Sequence, residues 1–449
     1  MKVNTAVVGL IIRIPLKVVE ILESAPIQRF HYTLLAVCSL LYAFAGMNCL
    51  TIALALTDVA RDLALTTYQL GWVVGVLYLG MFLGALTCGR LSDVVGRKMA
   101  IVVTTTIHSV FIALCSLARD FLSITVLRVL AGYGLGGLLP LPGVYISEFI
   151  PARYRGRFVG IVETSWVFGA LLASGLALAI MPTYGWRAYF LTGLIPLSMV
   201  PTTLLVVPES LRFLEERGRV EEAVRILRRR GLAAGEVESS EGLSGRRVVW
   251  YRELFTREYA VRTAVLWVLW ASLVYTYHGI FIWLKKFFVT IGSIPNPLLF
   301  YFLTTLVGQV PGYLSATALL DLAGRKKVLT AYLTIAGVGC LLFMASRSPM
   351  MVFLATCIIG FGNLGAWAGL YTYTPELYPT RIRGTGSGAA ASVGRIAGFV
   401  QGPATGLVLA SLGLASTFMK FSLVHIAAAA VVALLGVETK RRVLEEISR

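Results

Sequence analysis

The chain has 449 residues, 57% of them hydrophobic and only 14% charged, with a mean hydropathy of +0.78; an ordinary globular protein carries roughly 25% charged residues. So few charges do not make a water-facing surface, which excludes secreted domains, disordered tails and most soluble enzymes and leaves a polytopic membrane protein. The net charge of +17 suits either nucleic-acid binding or basic cytoplasmic loops, and its distribution along the chain, given below, selects the loops.

Residues 1–30 read as a cytoplasmic N-terminal segment. Residues 5–22 are apolar but carry Arg13, Pro15, Lys17 and Glu20 with no small-residue cleavage site, so they are not a cleavable signal peptide. An interfacial helix on the inner leaflet and a loosely ordered tail both remain open. Twelve apolar runs follow, at 31–56, 68–88, 99–117, 121–146, 157–181, 187–207, 262–290, 297–320, 328–345, 350–374, 385–410 and 413–436; a transmembrane helix needs about 20 such residues. They form an N-terminal half, 31–207, and a C-terminal half, 262–436. Between these lies a cytoplasmic linker, 208–261, and after them a cytoplasmic tail, 437–449. Within the linker, Leu211, Leu214, Val220, Val224 and Leu227 recur at helical spacing among charges, which predicts amphipathic helices. Residues 231–247 are rich in Gly, Ser and Glu and read as flexible.

With both termini inside, only Arg61, Arg119, Arg187, Lys285, Lys286, Arg347 and Lys420 of the 40 Lys and Arg fall at the outer side, and Arg128 and Arg395 fall within spans. The other 31 are cytoplasmic, so the positive-inside rule sets the orientation. The six cysteines, Cys38, Cys49, Cys88, Cys115, Cys340 and Cys357, stand singly in apolar runs and read as small buried hydrophobes rather than a disulfide framework or metal site.

The two halves repeat. Asp93, Gly96, Arg97 and Lys98 after the second run match Asp321, Gly324, Arg325 and Lys326 after the eighth, all at an offset of 228. Glu148, Pro151, Arg153, Arg155 and Gly156 match Glu376, Pro379, Arg381, Arg383 and Gly384 at the same offset, as Gly132 and Gly134 match Gly360 and Gly362. Two six-span halves of this kind are the layout of a secondary transporter, which rocks its halves about a central site. The candidate gating residues are therefore Asp93, Gly96, Arg97, Glu148, Arg153, Asp321, Gly324, Arg325, Glu376 and Arg381, with the cations expected to pair across the cytoplasmic face between halves.

The stretch Gly89-Arg-Leu-Ser-Asp93-Val-Val-Gly96-Arg97-Lys98 resembles the loop signature of the major facilitator superfamily, and Arg128-Val-Leu-Ala-Gly132-Tyr-Gly134-Leu-Gly136 resembles its fourth-span motif. Within that superfamily, Pro208-Glu209-Ser210-Leu211-Arg212-Phe213-Leu214 is similar to a sugar-porter motif but lacks its second proline, and the sugar-porter Gln-Gln pair is missing from the seventh span. A closer resemblance is to the metabolite/proton symporter group that includes nicotinate and aromatic-acid carriers. It rests on Arg29-Phe-His-Tyr32, Tyr277-His-Gly-Ile-Phe-Ile-Trp283, Gln309-Val-Pro311-Gly312-Tyr313, Tyr371-Thr-Tyr373-Thr-Pro-Glu376 and Gly394-Arg395-Ile-Ala-Gly398. That group usually carries two first-span aspartates, where this chain reads Phe44-Ala45-Gly46-Met47-Asn48. Proton coupling through the first span is therefore in question.

An ionised side chain at the bilayer centre costs about 2.5–3.5 kcal/mol on insertion scales, so such residues are few and functional by default. Glu163 is the one carboxylate well inside a predicted run, and Arg128 and Arg395 are the cations. The repeat offset sets Arg395 against Val167, one helical turn from Glu163, and the resemblance implies that the fifth and eleventh helices line the cavity. Arg395 is expected to bind a substrate carboxylate and Glu163 to carry a proton or meet the substrate's polar end; the alternative is that the two pair with each other or with nearby polar groups for structure. Tyr371, Tyr373, Trp367, Tyr277 and Trp166 are candidates for stacking on a planar ring, with Asn48 and Gln309 as neutral polar contacts. Arg128 and His278 are candidates for proton coupling, each with a structural alternative. Lys285 and Lys286 are expected to snorkel to the outer rim.

The expectation is an all-α membrane protein with twelve helices in two pseudo-symmetric halves, in the cell membrane and monomeric. It carries a small organic acid, such as nicotinate or a benzoate, by alternating access with proton symport. A sugar porter, a drug or organic-cation exporter and an uncoupled uniporter are the alternatives. No nucleotide-binding, metal or catalytic motif is present in the sequence, so no cofactor, no nucleic acid and no enzymatic step is expected.

Overall fold

A computed structural model describes residues 22–23, 25–232, 251–379 and 382–440. The predicted N-terminal interfacial segment before residue 22, the linker residues 233–250, Arg381 and the tail after residue 440 lie outside the described residues.

All regular elements among the described residues are helical. Ten helices there are long and apolar enough to cross a bilayer, where twelve runs are predicted. The difference lies in two helices, Ala152–Val206 and Arg383–Leu435, of 55 and 53 residues. At about 1.5 Å per residue each would measure roughly 80 Å, well over twice a hydrocarbon core of about 30 Å. Each breaks at one glycine, Gly185 (φ 74°) and Gly413 (φ 77°), a backbone region that glycine enters without a Cβ penalty. The Tyr189 hydroxyl then donates to the Ala173 carbonyl at 3.1 Å, and Lys420 Nζ to Thr405 Oγ1 at 3.1 Å, so each helix folds back on itself. Ten helices thus supply twelve crossings. Residues 185 and 413 are themselves separated by the repeat offset of 228.

The twelve spans are Arg29–Asp62, Thr67–Val95, Arg97–Leu117, Phe121–Ser147, the two arms of Ala152–Val206, Ala260–Phe281, Pro297–Ala323, Arg325–Ala345, Pro349–Glu376 and the two arms of Arg383–Leu435. Short helices Leu211–Glu216 and Val220–Arg229 follow the sixth span. The second, fourth, eighth and tenth spans start at side-chain caps, Thr66, Asp120, Asn296 and Ser348, each accepting a backbone N–H three residues on. These caps share one side of the bundle, opposite the side that holds the ends of the described chain and the segment after span six. The two are called here the far side and the terminal side.

Between the halves, spans two and eleven meet at glycines. A Cβ on Gly71 would lie 2.6 Å from the Gly402 carbonyl, and one on Gly75 2.5 Å from the Phe399 carbonyl. Gly398 lies against the Tyr78 ring and Gly406 against the Thr67 carbonyl. Small residues allow this backbone approach. Toward the terminal side the contact is lost: a Cβ on Gly89, Gly156, Gly160, Gly384 or Gly388 would meet nothing within 4 Å. The halves are therefore pressed together on the far side and parted on the terminal side.

Candidate substrate cavity and its surrounding networks

Tyr42, Glu163 and Arg395 stand 13, 11 and 12 residues from the terminal-side starts of their helices, Arg29, Ala152 and Arg383. At about 1.5 Å per residue that is a common depth of roughly 17–20 Å, near mid-membrane. Tyr42 and Tyr371 face each other across the halves with their hydroxyls 3.2 Å apart. Both hydroxyls are electrostatic neighbours of Glu163 and of Arg395. The carboxylate of one half and the guanidinium of the other thus border one tyrosine pair. Among the described residues they make no ion pair with each other, so of the structural alternatives the direct pairing is absent. Arg395 Nε is buried without a hydrogen-bond partner among the described residues. A buried donor left unmet is costly unless a ligand or water fills it.

Aromatic rings surround this layer. Trp270 stands edge-on to Trp367 and Tyr371, with ring centroids 5.8 and 5.7 Å apart, and its indole N–H donates to Thr374 Oγ1 at 3.0 Å. Trp367 packs 5.4 Å from Tyr371, and its own indole nitrogen is buried without a partner among the described residues. One turn beyond Glu163, Trp166 Nε1 donates to the Tyr277 hydroxyl at 3.0 Å, which donates to Gln309 Oε1 at 3.3 Å. This chain also crosses between halves, on the far-side edge of the layer. Trp166 sits there because Gly46 leaves room: a Cβ at 46 would come within 3.1 Å of the indole. His278 stacks edge-on against Tyr78 at 4.8 Å and Tyr277 at 4.9 Å, and its Nδ1 is 3.0 Å from the Val274 carbonyl.

Several predicted residues lie elsewhere. Asn48 is fully buried inside the N-terminal half, 3.0 Å from His108 Nδ1 and donating to the Gly193 carbonyl at 3.2 Å. Tyr373 is fully buried near the terminal side, where its hydroxyl donates to the Val437 carbonyl at 2.7 Å. Neither joins the Tyr42–Tyr371 layer, because each points away from the half interface. Arg128 is fully buried between spans two and four, with Nε donating to the Val73 carbonyl at 2.8 Å.

The predicted gating residues form two networks, one within each half. Arg97 pairs with Asp93 at 2.8 Å and Glu148 at 3.5 Å; Arg325 pairs with Asp321 at 3.1 Å and Glu376 at 2.9 Å. None of these four pairs crosses between the halves as expected, since the halves are parted at this side. Arg153 is exposed, with its guanidinium over the Tyr154 ring at 4.7 Å, and takes no part. Burial pushes the Glu148 carboxyl up, opposed by its hydrogen bond from Ser210 and by Arg97.

Each network holds a carboxylate and a hydroxyl that the repeat analysis does not assign. Glu209 accepts from the backbone N–H of Arg97 and Lys98 at 2.9 and 3.2 Å; Glu438 does the same for Arg325 and Lys326 at 2.8 and 3.2 Å. Ser210 bonds Glu148, and Thr439 donates to Glu376 at 2.5 Å. Pro208-Glu209-Ser210 and Val437-Glu438-Thr439 are separated by 229 rather than 228 residues, so a search at the repeat offset passes over them. Gly96 and Gly324, both at φ 94°, bring the helix starts onto these carboxylates. Gly96→Ala should cost about 1–3 kcal/mol in backbone strain, since this region is essentially restricted to glycine. Thermal unfolding of the purified protein measures it, and an unchanged midpoint would refute the assignment.

At the far side Lys285 does not snorkel to the rim. It is buried and ion-paired with Asp58 of the first span at 2.5 Å, joining the halves. Arg187 pairs with Asp62, which also accepts from Trp186 Nε1 at 3.1 Å, within the N-terminal half. Asp58→Ala should loosen far-side contact more than Lys285→Ala, because it strands a buried ammonium rather than a part-exposed carboxylate. The double exchange Asp58→Lys with Lys285→Asp should restore closure. Labelling of a far-side cysteine by an impermeant maleimide reads all three.

The sequence matches the family described as "Sugar (and other) transporter" over residues 18–449. It is 36% identical over 432 residues to the niacin transporter NiaP of Acinetobacter baylyi, covering 95% of this chain and 98% of that one. It is 27% identical over 417 residues to the gallate transporter of Pseudomonas putida, covering 89% and 90% of the two chains. Among solved structures, the inward open conformation of the xylose transporter XylE from E. coli superposes with a TM-score of 0.75 at 18% identity, covering 93% of this chain and 99% of that one. At that identity the likeness speaks to the fold alone. With two repeated halves, twelve crossings and a match along nearly its whole length, the chain belongs to the sugar (and other) transporter family of the major facilitator superfamily.

Proposed function

We propose that this protein carries an aromatic carboxylate of nicotinate or benzoate size across the cell membrane by alternating access, with Glu163 as the proton carrier. The terminal side is then cytoplasmic, as the Lys/Arg bias requires, and the described conformation faces inward. One observation carries the reading: a carboxylate of one half and a guanidinium of the other border the same Tyr42–Tyr371 pair beneath Trp270 and Trp367. Arg395 binds the substrate carboxylate by a charge-assisted bidentate contact. The aromatic rings bury the substrate's planar face and edge. The identity to a niacin carrier and to a gallate carrier, both named for aromatic acids, supports this class of substrate over a hexose.

Uptake into proteoliposomes of labelled nicotinate, benzoate, a hexose and an organic cation, with and without an inward proton gradient, tests it. Protein-free liposomes subtract passive permeation of the acids. Gradient-driven accumulation of an acid is expected, and Glu163→Gln should leave acid exchange intact while removing accumulation. Flux of the hexose or the cation alone would overturn the substrate assignment. A second reading, uncoupled uniport, is favoured by Ala45 and Asn48, since Asn48 is committed to His108 and no first-span carboxylate reaches the Tyr42–Tyr371 layer among the described residues. Under it the acid equilibrates without accumulating.

A further inference from the structure

Lys420 is a cation inside the twelfth span. It stands seven residues after Gly413, the break that turns span eleven back as span twelve. At about 1.5 Å per residue it lies roughly 10 Å below the far-side turn. Its ammonium donates to Thr405 Oγ1 at 3.1 Å and sits 5.2 Å from the Tyr275 ring centroid and 4.5 Å from that of Phe421. An ammonium has three N–H donors, and among the described residues this one makes no ion pair. Ring faces attract a cation but bring no net charge to balance it.

Beside Lys420 the surface is open. The residue lines a groove of about 520 Å³ together with Met344 of span nine, Val408 and Leu412 of span eleven, and Met419 and Leu423 of span twelve. Leu412, Met419 and Leu423 are exposed. Met344 is next to the last residue of span nine and Leu412 precedes Gly413, so the groove opens toward the far face of the membrane. The halves are pressed together on that side, so these exposed apolar side chains lie outside the central cavity and face the bilayer. The headgroup layer adds roughly 5–8 Å to each face of the hydrocarbon core. The Lys420 backbone is therefore a few ångströms below the headgroups, within the reach of a lysine stem.

We propose that this groove between spans nine, eleven and twelve binds one anionic phospholipid of the far leaflet, with its phosphate on Lys420 and an acyl chain along Leu412, Met419 and Leu423. Charge complementarity selects the occupant. An unpaired cation at headgroup depth, above an apolar trough, matches a lipid whose head is net negative. A zwitterionic head brings its own ammonium and leaves Lys420 unbalanced. The site backs onto the seam between the halves, because Thr405 precedes Gly406, which meets the Thr67 carbonyl there. It is separate from the Tyr42–Tyr371 layer and does not depend on which solute is carried.

The test reconstitutes the full chain in bilayers of equimolar phosphatidylcholine and phosphatidylglycerol, extracts it in mild detergent and counts the lipids retained per chain by native mass spectrometry. Basic residues on the terminal side retain phosphatidylglycerol as well, so the measured quantity is the difference between variants. Lys420→Met should lose one phosphatidylglycerol per chain relative to the unsubstituted protein, and Lys420→Arg should keep it. Ala415→Trp, which fills the same groove without touching the charge, should also lose one. Arg119→Ala, at an exposed far-side cation of the other half, should lose none. An equal phosphatidylglycerol count in Lys420→Met and the unsubstituted chain would overturn the proposal. Loss of a phosphatidylcholine instead would overturn it too, since the groove would then take any lipid. Should Lys420→Met fail to fold, Ala415→Trp against Arg119→Ala decides the matter, and an undiminished count in Ala415→Trp overturns the site.

Discussion

Arg395→Ala is expected to abolish saturable uptake of nicotinate and benzoate while leaving the protein folded. The guanidinium reaches mid-membrane on the eleventh span, makes no ion pair among the described residues and keeps a buried Nε–H without a partner. A cation left unpaired at that depth is costly to keep, which is the mark of a group held for a ligand. Removing one member of a buried charge-assisted pair costs about 2–5 kcal/mol, or roughly 30- to several-thousand-fold in affinity. Arg395→Lys should recover part of the loss, because it restores charge without the planar fork. The free protein should not lose stability, since no carboxylate is stranded. Binding of labelled acid, measured beside thermal unfolding, separates the two effects. Unaltered affinity in Arg395→Ala would remove this residue from the site.

The second large effect is expected at the contact between the halves. Gly75→Leu places a side chain where its Cβ alone would lie 2.5 Å from the Phe399 carbonyl and 2.9 Å from Pro403 Cδ of the opposite half. Backbone atoms of a packed helix do not yield easily, and overpacking costs about 1–3 kcal/mol. Charged against the closed state alone, that shifts the balance toward far-side opening by roughly 5- to 150-fold. Under the proposed alternating-access cycle, which passes through far-side closure, transport should fall at least in proportion. A cysteine placed at Thr67, which meets Gly406 across the same seam, should become more reactive toward an impermeant maleimide. Gly89→Ala on the terminal side serves as the control: nothing lies within 4 Å of its Cβ, and its effect should be small. Unimpaired transport by Gly75→Leu would mean that the seam at residue 75 need not close.

The mutations also show where a reading of the chain can and cannot reach. Hydropathy located the crossings because a bilayer demands long apolar helices whatever their packing. The repeat offset brought Asp93, Arg97 and Glu148 together with Asp321, Arg325 and Glu376, because each set sits at helix ends whose spacing is carried by the backbone. Glu163 and Arg395 stood out for a similar reason: charge inside a span is rare, and rarity needs no coordinates.

Aromatic and amide side chains gave no such signal. Tyr371 and Tyr373 are two residues apart, yet one meets Tyr42 across the halves and the other bonds Val437 at the terminal side. Two residues on a helix are about 200° apart, so the choice between cavity and packing depends on helix rotation. Tyr42 and Trp270, which border the candidate site, occur in runs with nothing to distinguish them from lipid-facing aromatics. Asn48 was polar enough to be expected in the cavity, but His108 and the Gly193 carbonyl satisfy it from within its own half. Lys285 looked like a rim residue until Asp58, 227 positions away, was found beside it. The sequence by itself determined the number of crossings, the internal repeat and the rare intramembrane charges, because these follow from the solvent the helices must cross. Only the tertiary structure decided which side chains meet, since partners across a half interface are set by helix rotation and by the closeness that Gly71, Gly75 and Gly402 permit.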